Sequence, residues 1–181
     1  MKNYKEISTY FICLAIIALS LAVNIANFTK AEQTLAVPPS GKCVILDAGH
    51  GAPDGGAVGI SGVLEKDINL KITKKLQRLL EQSGTYVIMT RSDDSNIAPD
   101  EKVKIRDIKR ADLKARREYK NTPNADIFVS IHMNKFPEQK YKGAQVFYAR
   151  SPQNSKILGE TVQKSFTENL DPTNTRVAKT A

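Results

Sequence analysis

The stretch that most constrains the fold is Val44 to Gly59, Val-Ile-Leu-Asp-Ala-Gly-His-Gly-Ala-Pro-Asp-Gly-Gly-Ala-Val-Gly. A short apolar run ends at Asp47 and opens into a glycine-rich loop carrying His50, one of 2 histidines in the chain. The other, His132, stands just past a second run of strand type, Ile127-Phe-Val-Ser-Ile131, and shortly before Asn134, a turn former. Set as parallel strands of one sheet, the two runs release both imidazoles at the same edge. That edge, beyond the carboxyl ends of the strands, is where open α/β sheets build their sites. The arrangement predicts a metal site there.

The rest of the chain supplies what a parallel sheet needs. Val44, Ile45 and Leu46 are apolar without alternation, as in a strand covered on both faces, so Lys42 to Asp47 reads as the central strand. The loop after it is rich in glycine and holds Pro53. Its Gly49-His-Gly51 start does not extend into a dinucleotide-binding fingerprint, because Pro53 interrupts the pattern and the helix begins too late to cradle a pyrophosphate. From Glu65 to Gln82, Ile68, Ile72, Leu76, Leu79 and Leu80 recur at helical spacing opposite Lys71, Lys74, Lys75 and Arg78, which predicts an amphipathic helix ended by Ser83-Gly84. Thr85 to Thr90 completes a βαβ unit, so the helix start falls at the same edge as His50.

Arg91 to Arg110 reads as a charged surface insertion turning at Pro99-Asp100, and a short helix follows from Asp112 to Tyr119. Gly143 to Tyr148 reads as a further strand. Ser155 to Leu170 reads as a second long helix with Ile157, Leu158, Val162, Phe166 and Leu170 facing inward, and Thr173 to Ala181 carries no apolar strand.

The amino-terminal segment reads apart from the domain. Lys2 and Lys5 precede a mostly apolar run from Tyr10 to Phe28, close to the roughly 20 residues that a bilayer span needs. Residues 1–31 are expected to form a signal peptide or membrane anchor and residues 32–41, with Pro38-Pro39-Ser-Gly41, a linker, so that the domain is exported. The formal charge of +8 favours anionic wall polymers or membrane faces. The basic runs lack the interleaved aromatic residues that single-strand binders use, and no nucleic acid partner is expected. Cys13 and Cys43 lack Cys-x-x-Cys spacing, which excludes zinc ligation by such a pair, and they form no disulfide framework.

Two imidazoles and one carboxylate make a common catalytic zinc shell that leaves a position for water or substrate. His50 and His132 supply the nitrogens. Asp47, Asp54, Glu65 and Asp67 all fall at the same edge. Glu65 is the best placed of them as ligand, because a helix start fixes its backbone while its long side chain reaches inward. Asp47 suits a supporting role, accepting a histidine N–H and so setting its tautomer.

Val44 to Ala57, Leu64-Glu65-Lys66-Asp67, Met89-Thr-Arg91, Leu113 to Arg116, Ser130-Ile-His132-Met-Asn134 and Gly143 to Tyr148 together resemble the zinc-dependent N-acetylmuramoyl-L-alanine amidases. The resemblance runs over residues 42–181 and is strongest to the germination-specific, spore-cortex branch. It implies a single α/β domain, phosphorylase/hydrolase-like, with a mostly parallel central sheet flanked by helices. It further implies Zn2+ held by His50, Glu65 and His132, and hydrolysis of the amide between the lactyl group of muramic acid and L-alanine. The partner would be peptidoglycan in cell wall or spore cortex, with membrane contact through the amino-terminal segment; the sequence specifies no protein activator.

One departure stands out. The family's general base is a second glutamate in a Glu-x-Gly-Phe-like context on a late strand, whereas the glutamates after His132 are Glu138, Glu160 and Glu168, in a polar loop and on a predicted helix. The expectation is that this base lies beyond Ala181, that the domain lacks its last strands, and that the chain alone is inactive, since losing a general base costs about 100- to 10,000-fold. A non-catalytic peptidoglycan-binding protein and a zinc peptidase acting within the stem peptide are the alternatives.

Overall fold

An apolar run without polar alternation needs cover on both faces, which the middle of a sheet provides. The computed structural model describes residues 20, 41–97, 104–133, 135, 138 and 142–181. In it β1 (Cys43–Ala48) buries Val44, Ile45, Leu46 and Ala48. This strand lies between β2 (Tyr86–Met89) and β3 (Ile127–Ile131) and runs parallel to both. Val44 stands opposite Val87 on one side and Ile127 on the other, and Asp47 stands opposite Ser130. Gly49 then donates its N–H to Ile131 O at 3.0 Å, carrying the pairing one step past the strand end. His50 and His132 therefore leave the sheet at one edge.

The crossover from β1 to β2 carries α1 (Glu65–Gln82), which lies against the sheet, and that from β2 to β3 carries α2 (Ile105–Glu118), followed by a 3-10 turn. The first turn of α1 has no side-chain cap. Loop carbonyls replace it: Glu65 N–H donates to Ala57 O at 2.9 Å and Lys66 N–H to Gly55 O at 3.2 Å. The glycine loop is thus folded onto the helix end and satisfies donors that the helix leaves free. At the other end Gly84, at φ +76°, donates to Glu81 O while Thr85 N–H reaches Leu80 O, the paired bonds of a Schellman motif.

The mixed α/β architecture with a parallel sheet and flanking helices is as expected, but several details differ. The buried face of α1 is Glu65, Lys66, Asn69 and Thr73, whereas Ile72 and Leu79 of the predicted apolar stripe are exposed, Leu79 at 63%. The buried face is polar: Asn69 Nδ2 ties the helix to the β1 exit by donating to Gly49 O at 3.0 Å, while Thr73 Oγ1 donates within the helix to Asn69 O at 2.7 Å. α2 begins at Ile105, inside the stretch read as a surface insertion. Arg91, the first residue of that stretch, is buried because carbonyl oxygens surround its guanidinium. The Pro99-Asp100 turn, the Tyr10 to Phe28 run apart from Ser20, and the linker up to Ser40 lie outside the described residues. Among the described residues no helix is long and apolar enough to cross a membrane.

The chain divides into two compact units, residues 1–134 and 135–181. In the second, β4 is shortened to Phe147–Tyr148 and pairs in parallel with β5 (Lys179–Thr180), which its polarity concealed in the sequence. The shortening has a cause: Gln163 Oε1 takes the Val146 N–H at 2.8 Å, and Gln163 Nε2 donates to Ala144 O at 3.1 Å. α3 (Gln153–Ser165) runs into a π-turn, Phe166–Leu170, and buries Gly159 and Gln163, while Ile157, Leu158 and Leu170 are exposed. Gly159 faces Tyr148, whose Cβ lies 3.0 Å from the place a side chain at Gly159 would start.

Candidate metal centre

The sheet edge brings His50, Glu65 and His132 together, with one ligand atom from each within 4.8 Å of the others. His50 Nε2 lies 3.2 Å and His132 Nδ1 3.1 Å from Glu65 Oε1, and the two rings meet edge-on with centroids 4.9 Å apart. Glu65 is buried, while the imidazoles are more open. Glycine lets the backbone come this close. A Cβ at Gly56, where φ is +68°, would lie 2.7 Å from His50 Cδ2 and 2.8 Å from Glu65 Oε2, and one at Gly49 would lie 2.3 Å from His132 Cε1.

The surroundings of Glu65 and His50 suit a cation. Burial acts to raise the pKa of Glu65, but hydrogen bonds from the Ala57 and Met133 amides and the nearby imidazoles overcome it, and the carboxyl stays below its ordinary range. The two amide bonds measure 2.8 and 2.9 Å. Asp54 accepts from His50 Nδ1 at 2.9 Å, from Lys109 Nζ at 2.8 Å and from Gly56 N–H at 3.2 Å. Burial opposes ionisation of Asp54 as well, yet Lys109, His50 and Gly56 bring its pKa down to about 2. An ionised carboxylate only accepts, so His50 donates from Nδ1 to Asp54, and Nε2 is the nitrogen that faces Glu65 Oε1. A ring nitrogen 3.2 Å from a carboxylate oxygen is a favourable neighbour when a proton or a cation lies between them. The donor set, two imidazoles and one anionic carboxylate, fits a divalent metal with room for a further ligand.

The other acids point elsewhere. The histidine-orienting carboxylate anticipated at Asp47 is found at Asp54, four residues after His50 in the Pro-Asp-Gly turn. Asp47 is instead buried, accepting from Thr90 Oγ1 at 2.7 Å, from Ser130 Oγ at 2.6 Å and from Arg116. Asp67 pairs with Lys66 at 3.1 Å. In the second unit Glu160 and Glu168 stand on the surface, 3.8 Å from Lys156 and 3.7 Å from Lys164. Sequence reasoning missed Lys109 and the amides of Ala57 and Met133. The short His50 to Asp54 spacing was the one available signal for the orienting carboxylate.

A family model described as N-acetylmuramoyl-L-alanine amidase matches residues 44–181. The germination-specific N-acetylmuramoyl-L-alanine amidase of Bacillus subtilis (strain 168) is 40% identical over 144 residues, 80% of this chain and 60% of that protein. The amidase LytC of the same organism is 35% identical over 155 residues, 84% of this chain and 28% of its own length. This chain therefore spans 60% or less of these two curated relatives. Among solved structures, the CwlD amidase from Clostridioides difficile, in complex with the GerS lipoprotein, is similar with a TM-score of 0.74 at 45% identity, covering 77% of this chain and 72% of that one.

Proposed function

The chain belongs to the N-acetylmuramoyl-L-alanine amidase family, and we propose that it acts on peptidoglycan outside the cytoplasmic membrane, hydrolysing the amide between the lactyl group of muramic acid and L-alanine. The observation that carries this reading is the convergence of His50, Glu65 and His132 within 4.8 Å. These three residues would hold zinc, which when bound supplies a Lewis acid for the scissile carbonyl and lowers the pKa of water. The chain's own groups prepare that site. Asp54 keeps the His50 proton on Nδ1, leaving Nε2 free to ligate, and the Ala57 and Met133 amides keep Glu65 anionic. Hydrolysis adds water across the bond, leaving a lactyl carboxylate and a new L-alanine amino terminus. By analogy with the CwlD complex, a lipoprotein partner is part of the proposal.

The test begins with metal analysis of the purified chain. One zinc per chain is expected, lost in His50→Ala, Glu65→Ala and His132→Ala; full zinc in all three variants overturns the site. Incubation with purified peptidoglycan follows. Release of L-alanine amino termini that stops on chelation supports the amidase, and release of another amino terminus replaces it with a peptidase. Sedimentation with the wall at full zinc, without release even when a Glu-x-Gly-Phe segment is joined to the chain, replaces it with a binding module.

A further inference from the structure

Two sequence motifs have no part in the chemistry above, Met89-Thr-Arg91 and the segment ending in Arg116, yet both place a guanidinium beneath the metal centre. Arg91 and Arg116 are 4% and 8% exposed. As the chain leaves β1, three successive carbonyls turn towards them. Ala48 O accepts from Arg91 Nε at 2.8 Å and Arg116 Nη1 at 3.1 Å, Gly49 O accepts from Arg91 Nη2 at 3.1 Å, and His50 O accepts from Arg116 Nη2 at 2.8 Å.

The consequence falls on His50. Its φ is +63°, in the left-handed region that side-chain-bearing residues seldom occupy. The Gly49 carbonyl belongs to the peptide before His50 and the His50 carbonyl to the peptide after it. Holding both planes fixes the two backbone torsions of His50 and hence the direction in which its imidazole leaves the chain.

The same network reaches the other two ligands. Arg91 Nη2 also donates to Lys66 O at 2.8 Å, tying the loop to the helix turn that bears Glu65. Arg116 is gripped through Nε by Asp112 Oδ2 at 2.7 Å and pairs with Asp47. The second oxygen of Asp47 accepts from Ser130, two residues before His132 on the strand that delivers it.

We infer that Arg91 and Arg116 are positioning residues for the metal centre, setting the backbone that aims His50 and joining it to the elements bearing Glu65 and His132. This inference rests on the zinc reading above. Lysine keeps the charge but lacks the fork that reaches several carbonyls at once.

The experiment is zinc affinity of the full chain by competition with a chromogenic chelator, with the visible spectrum of the Co2+ form as a second readout. Arg91→Lys and Arg116→Lys are expected to weaken zinc by about 10- to 100-fold and to alter the Co2+ spectrum. Ile45→Ala, a core cavity away from the carbonyls, controls for stability; it should lower Tm while zinc affinity stays within about twofold. Asp112→Asn loosens Arg116 without removing it and is expected to weaken zinc by up to about tenfold, and it decides the matter should Arg116→Lys not fold. Unchanged affinity and spectrum in the folded lysine variants, or in Asp112→Asn in that case, overturns the inference. A parent chain that binds no zinc overturns the zinc reading itself, a different and distinguishable result.

Discussion

The two units meet the same problem, irregular backbone with buried polar groups, using different chemistry. In the first unit the turn after β1 is held by guanidinium groups, with Asp47 and Asp112 as counter-charges to Arg116. In the second, the residues next to β4 are held by neutral amides, Gln163 bonding both Val146 N–H and Ala144 O and Asn174 Nδ2 adding a bond to Ala144 O at 2.8 Å. The Arg176 guanidinium reaches the start of that segment, at Lys142 O and the Gln145 side chain. A charged network is expensive to break, because a lost partner strands a buried ion, whereas a lost amide strands only a dipole. The first device suits a loop whose torsions aim a ligand; the second suits a strand that has only to stay in place.

The strongest way to break this contrast is Asp47→Ala. It removes the counter-charge of Arg116 and the acceptor of the Thr90 and Ser130 hydroxyls, and is expected to cost about 3 to 5 kcal/mol in urea unfolding. A loss no larger than that from Gln163→Ala would erase the distinction.

Next comes Gly56→Ala, which forces a side chain against His50 and Glu65 at a positive φ. Zinc affinity measured by competition should fall about 10- to 100-fold. The matching change in the second unit, Gly143→Ala at φ +89°, meets the Asn174 side chain and should lower Tm while leaving zinc affinity of the folded protein intact.

A smaller effect is expected from Gln163→Ala, about 1 to 2 kcal/mol, with the Val146 amide losing hydrogen-exchange protection. Ala144 O keeps its bond from Asn174, which limits the loss.

The smallest sits at the far end of the sheet. The Asp126 carboxylate accepts from Lys42 Nζ and Cys43 N–H, each at 2.8 Å, and the Lys42 bond above all holds its pKa below the ordinary value. Stability from a depressed carboxyl is present above its unfolded pKa of about 3.9 and is lost as pH falls through the folded value. The difference in stability between parent and Asp126→Asn should therefore narrow on acidification below that pH, and a constant difference would remove the linkage.

Local pattern accounts for a good part of the molecule. The unbroken apolar run of β1, the helix over Glu65–Gln82 and the strand before His132 follow from side-chain type and spacing, and parallel strands bring the two histidines to one edge. Glu65 joins them because a crossover helix begins at that same edge. Pattern fails where hydrogen bonds join distant residues. Arg91 falls in the stretch read as charged surface because an isolated guanidinium prefers water, and only carbonyls gathered from the end of β1 and the start of α1 make its burial favourable, as carbonyls with Asp47 and Asp112 do for Arg116. Periodicity places the apolar stripe of α1 inward, yet the folded glycine loop docks the Glu65, Asn69 and Thr73 side.

The choice between Asp47 and Asp54 as the carboxylate on His50 shows the boundary most clearly. Both acids are present in the motif, and residue type puts either within reach. The chain path alone sends Asp47 into the core beside Thr90, Ser130 and Arg116 and turns Asp54 back onto the imidazole. Periodicity reports which face of an element is apolar, but a loop's partners depend on where its backbone runs in space.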